Sequence, residues 1–86
     1  MPRICTFYGI VISMYYKEHA PPHFNASYSG HEAAYGMDSL EVVHGSLPAR
    51  ANALVLEWAS LHRGELQANW DRARKGRKPD KIEPLA

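Results

Sequence analysis

The sequence predicts an α+β fold: an antiparallel β-meander of four to five short strands, then two C-terminal helices (or one kinked helix) packed on one face. Three observations carry that expectation. The first half is rich in β-branched and aromatic residues broken by glycine and proline. The second half repeats apolar residues at the helical period. The 86 residues, 45% hydrophobic and 22% charged, suffice for one ordinary globular domain over 1–86. A chain of this size buries only about 60–65% of its unfolded surface. Its core is thin, and a homodimer or a partner chain would add stability. Two-domain enzymes, repeat arrays and transmembrane bundles are excluded.

Taken in order, residues 4–8 and 10–16 favour strands, with Gly9 as a bulge or tight bend between them. Lys17-Glu18-His19-Ala20-Pro21-Pro22 is irregular, because paired prolines remove two backbone donors. Residues 23–28 alternate, with Phe24, Ala26 and Tyr28 on one face and His23, Asn25 and Ser27 on the other. Ser29-Gly30 suits a two-residue hairpin turn, and residues 31–36 return antiparallel. After a break at 36–39, Leu40–His44 forms a last strand that ends at Gly45, so strands occupy 3–44.

Helices are expected over 47–75. Ser46 suits the cap, and Pro48 fits the first turn, where a missing N–H costs nothing. Apolar residues and His62 recur at 47, 51, 54, 55, 58, 61, 62, 66, 70 and 73. Trp58, His62, Leu66 and Trp70 are spaced four apart and share one ridge, on which both tryptophans serve as anchors and His62 as a packed residue with one hydrogen bond. Gly64 costs about 1 kcal/mol in a helix interior, so two helices meet at Leu61–Gly64. In the basic tail, 76–86, Pro79 and Pro84 prevent further helix, while Ile82 and Leu85 are placed to dock on the body.

Charge divides unevenly. Residues 72–81 hold Arg72, Arg74, Lys75, Arg77, Lys78 and Lys81 against one acid, Asp80, whereas the remainder holds four basic and eight acidic residues. Such a basic segment marks an interaction surface or a solubilising helix end. The single cysteine, Cys5, cannot form an internal disulfide, which fits a reducing compartment. The apolar run from Ile4 is interrupted by Thr6 and Ser13 and lacks a small-x-small site, so it reads as strand rather than signal peptide or membrane span. The expected location is the cytoplasm, with no membrane partner.

Met14-Tyr15-Tyr16 and then His19-Ala20-Pro21-Pro22-His23-Phe24-Asn25-Ala26, with Leu54-Val55-Leu56-Glu57-Trp58-Ala59, Leu61-His62-Arg63, Glu65-Leu66, Asn69-Trp70 and the closing Lys81-Ile82-Glu83-Pro84-Leu85, carry a resemblance across nearly the whole chain. They resemble a family of small bacterial and phage proteins, domain of unknown function (DUF) 4160. The resemblance implies a gene of a compact two-gene module, like those of toxin–antitoxin pairs, with a protein partner encoded next door. Members of the family commonly carry a histidine where this chain has Asn25. A site of His19, His23 and that third imidazole would suit zinc, but asparagine is a poor ligand for it. His31 or His44 would have to complete the set. No metal and no cofactor is assigned.

Two function classes follow. The first is a binding or regulatory protein acting through protein or nucleic-acid contacts, with Tyr15, Tyr16, Lys17, Arg63, Arg72, Arg74, Lys75, Arg77 and Lys78 as contact residues. The alternative is a small metal-independent ribonuclease. Its catalytic residues would be His19 and His23, since an imidazole exchanges protons near neutral pH, with Lys17, Arg50 or Arg63 for the phosphate charge. The bland reading of the two loop histidines is structural: they bond the carbonyls that a Pro-Pro turn leaves free.

Overall fold

The computed structural model describes residues 2–16 and 21–86. Five strands, β1 (Arg3–Phe7), β2 (Ile10–Ser13), β3 (His23–Tyr28), β4 (His31–Gly36) and β5 (Val42–Gly45), precede helices α1 (Ala49–Leu61) and α2 (Arg63–Arg74). The strands form one antiparallel sheet in sequential order, a meander as predicted. Two hairpins turn through Tyr8-Gly9 and Ser29-Gly30, all four with positive φ, the backbone of the tight turn whose twist matches that of the strands.

Several boundaries differ from expectation, each for a hydrogen-bonding reason. β2 stops at Ser13 rather than residue 16, because Ser13 is its last residue paired to both neighbours. The next amide, that of Met14, donates to the Pro2 carbonyl. β5 runs over Val42–Gly45 rather than Leu40–His44, since Leu40 and Glu41 are spent on a turn: the Leu40 N–H donates to Gly36 O, and the Gly36 N–H to Glu41 O. Gly45 ends β5 against β4, where a Cβ would lie 2.2 Å from the Glu32 carbonyl oxygen. Ser46 does not cap α1. Its N–H continues the ladder to Glu32 O, and Pro48 takes the cap position.

The helices meet at His62, whose backbone leaves helical geometry at φ −127° and ψ 28°. The break lies within the predicted window, but Gly64 falls in the first turn of α2 rather than at the joint. The joint also turns Leu61 outward, 67% exposed, although its spacing placed it in the apolar row.

Ile10, Ile12, Met14, Phe24, Ala33 and Tyr35 from the sheet and Val55, Trp58, Leu66 and Trp70 from the helices form the core. Trp58 is fully buried between Phe7 and Phe24, with ring centroids at 5.5 and 6.0 Å. A buried tryptophan removes about 200 Å² from water, more than any other single residue here. Its indole N–H donates to Glu83 O at 2.8 Å, so the tail completes the tryptophan's polar edge. The tail docks as expected: Ile82 is buried and its N–H donates to Ile4 O at the outer edge of β1. Asn69, also buried, clamps Asp80 both ways, donating to its carbonyl at 2.9 Å and accepting its N–H at 2.8 Å.

Candidate functional site

The helices cover one face of the sheet and leave the other open. On the open face the register builds one row through all five strands: Arg3 opposite Ser13, Ser13 opposite Asn25, Asn25 opposite Ala34, and Ala34 opposite His44. Residues directly opposed in a ladder share a face, with Cβ atoms about 4.5–5.5 Å apart. A second row holds Thr6, Val11, Ser27 and Glu32. Arg3, Ser13, Tyr15, Asn25, Glu32 and His44 are among the residues that wall an open depression of about 660 Å³. Ala34, the smallest side chain of the five-strand row, leaves the row low between Asn25 and His44.

Polar chemistry on this face is varied. The Arg3 guanidinium stands at the β1 edge, where the Lys81 ammonium is brought in by donating to Arg3 O at 2.9 Å. Residues 78 apart in the chain thus meet at one edge of the sheet. Asn25 Nδ2 is buried and has no acceptor among the described residues. An unsatisfied buried donor costs about 1–3 kcal/mol. Tyr15, 45% exposed, offers a ring at the rim of the depression.

The predicted site residues divide. Lys17 and His19 lie outside the described residues. His23 is half-buried, its Nδ1 lies 3.0 Å from Pro21 O, and its ring packs 5.3 Å from that of Trp70. Arg63 donates to the carbonyls of Met37 and Asp38 and pins the β4–β5 turn. Arg72 is engaged by Asn69 and by Asp80 at 3.3 Å. His62 packs on Trp58 and meets Glu65 at 2.6 Å, a structural station at the helix joint. Tyr15, Tyr16, Arg50, Arg74, Lys75, Arg77 and Lys78 are exposed. The basic segment therefore splits into a docked part and an exposed group at the C-terminal end of α2, where Gly76 and Arg77 close the helix on Ala73 and Arg72.

Arg3, Ser13, Glu32, Ala34 and His44 were not singled out for this site from the sequence. The alternation of β3 already put Asn25 and Ser27 on the uncovered side. The missing information was cross-strand register, which is long-range. Cys5 is buried beneath the helices, and burial pushes its thiol above the usual value, which disfavours the reactive thiolate. Among the described residues no three His, Cys, Asp or Glu side chains gather at metal-binding distance. No helix among them is long and apolar enough to cross a membrane.

No curated protein and no solved structure matches the chain. The family model of a domain of unknown function, DUF4160, matches residues 9–71, from the turn before β2 through most of α2. That span includes the Pro-Pro-His-Phe segment, the open-face residues of β2 to β5 and both tryptophans. The chain belongs to the DUF4160 family.

Proposed function

We propose that the protein is a binding module that takes single-stranded nucleic acid on the open face of its sheet. One observation carries this reading: the polar depression crosses all five strands, with Arg3 and Lys81 at one edge and an exposed tyrosine, Tyr15, at its rim. Single strands are bound by cations that follow the phosphates and by aromatic rings on which bases stack, each stacked base contributing about 1–3 kcal/mol. The exposed Arg74, Lys75, Arg77 and Lys78 add long-range attraction. The family's two-gene setting supports a regulatory role beside a neighbouring gene product, as in toxin–antitoxin pairs. The lone, buried Cys5 fits the reducing cytoplasm. The ribonuclease reading draws less support, because His23 is already engaged by Pro21 and Trp70.

The test is fluorescence anisotropy with a short mixed-sequence RNA over a salt series. Binding should weaken with salt by about 0.7 in log–log slope per phosphate neutralised. The pair Arg3→Glu and Lys81→Glu should lower affinity at least tenfold with unchanged melting. No binding at low salt, or loss only when Arg74, Lys75, Arg77 and Lys78 are reversed, overturns the face assignment. Co-expression with the adjacent gene tests the regulatory role: co-purification and growth arrest by one member alone support it, and the absence of both refutes it.

A further inference from the structure

A second surface lies on the helix side of the sheet, away from the open face. The turn after β1 and the end of β3 meet the first turn of α1 around a cleft of about 130 Å³. Buried Ile10 and Ala51 and half-buried Leu54 form its apolar base. Tyr8 and Tyr28 supply aromatic walls, and Arg50 stands exposed at its lip. We propose that this cleft docks a proline-containing acidic segment of a partner protein.

Size and lining choose the occupant. Pockets for small molecules and cofactors run to about 300–1,000 Å³, so this one takes a single side chain rather than a nucleotide. Aromatic rings around a short apolar base suit a prolyl ring, whose fixed φ leaves little conformational entropy to lose on docking. The walls are set before any partner arrives. Tyr8 is 59% exposed, yet its hydroxyl is held by donating to the Ala86 carbonyl at 2.8 Å. The Tyr28 ring lies against Gly9, where a Cβ would stand 3.5 Å from its Cε1. Tyr8 also takes a left-handed backbone (φ 50°) that tight turns ordinarily give to asparagine or glycine. Turn chemistry alone therefore does not choose a tyrosine there. Charge completes the selection. Arg50 forms no ion pair among the described residues, and the first turn of α1 holds no acid. A carboxylate on the incoming segment meets that guanidinium at the lip of the cleft, where a basic segment is repelled.

This surface is independent of the nucleic-acid reading. Its test is fluorescence anisotropy with three short labelled peptides, each titrated to about 1 mM. One carries prolines and glutamates among alanines, one has the prolines replaced by alanine, and one has the glutamates replaced by lysine. The first should bind about tenfold more tightly than either other. Tyr8→Asn removes a wall while suiting the turn, because asparagine favours its backbone. Affinity for the acidic proline peptide should fall about tenfold, with the melting temperature unchanged or raised. Arg50→Glu, a change at an exposed position, should lower that affinity by a similar factor and turn the preference toward the lysine peptide. Equal affinity for all three peptides, no binding of the first, or affinity that survives either substitution overturns the proposal. Displacement of the peptide by a short mixed-sequence RNA assigns the cleft to nucleic acid and overturns it as well.

Discussion

The two faces of this sheet are made by alternate residues of the same strands, yet they obey different rules. In β3, Phe24 and Ala26 are buried under the helices, while Asn25 and Ser27, between and beside them, remain half-exposed on the other side. The covered face is apolar and densely packed: Phe24 stacks on Tyr35 at 5.3 Å and meets the edge of Trp58. The open face is polar and includes a buried donor that no described residue satisfies. Folding free energy therefore comes from one set of side chains, and the other set is left to carry the proposed recognition, because the period of a strand is two. Open-face substitutions should alter binding without unfolding the protein, and covered-face substitutions should do the reverse.

The sharpest way to break that separation is Trp58→Ala. It should cost about 3–5 kcal/mol, with the Glu83 carbonyl also losing its donor. Urea unfolding measures it, and a loss below about 1 kcal/mol would show that the helices do not roof the sheet as described. Asn69→Ala comes next. It removes both hydrogen bonds to Asp80 and should cost about 2 kcal/mol, with earlier proteolysis of the tail than of the body. Equal protection of the tail in the variant would show that the clamp does not hold it.

Tyr35 gives a smaller effect on the covered face. Its hydroxyl donates to Asn52 Oδ1 at 2.7 Å, and burial raises its pKa above the ordinary 10.0. The phenol is favoured over the phenolate in the folded state, so its contribution is complete below pH 10 and is lost as pH rises through the folded value. Melting temperature should fall steeply above pH 10, and more gently in Tyr35→Phe. Parallel curves would remove Tyr35 as the cause. The smallest effects belong to the open face: Glu32→Gln and Ser27→Ala should shift stability by less than about 0.5 kcal/mol, as ordinary surface changes do. A larger loss from either would mean that this face also holds the fold together.

Much of the architecture was legible because it depends on local chemistry. The alternation of residues 23–28, the Ser29-Gly30 turn and the helical period around Trp58, Leu66 and Trp70 are short-range signals that packing reinforced. The boundaries that moved did so for bonds to distant partners. Ser46 was taken from its capping role by Glu32, and Leu40 and Glu41 were drawn into a turn with Gly36. The basic segment reads as one block in the chain, but Asn69 and Asp80 divide it by engaging Arg72 and tying down the tail. The loop histidines stand out by composition, whereas His44 entered only as a residue that would complete a metal set with them. Only the register of β4 against β5 places His44 across from Ala34.

The amino-acid sequence by itself determined the meander, the two-helix roof, the inward residues apart from Leu61, and the family, since these follow from periodicity and turn chemistry within a few residues. The tertiary structure decided which polar residues share a surface. Arg3 and Lys81 meet at an edge, and Ser13, Asn25, Ala34 and His44 line up across the strands, through hydrogen bonds between segments far apart in the chain. Register is a long-range property: a shift of one residue would turn every one of those side chains to the opposite face.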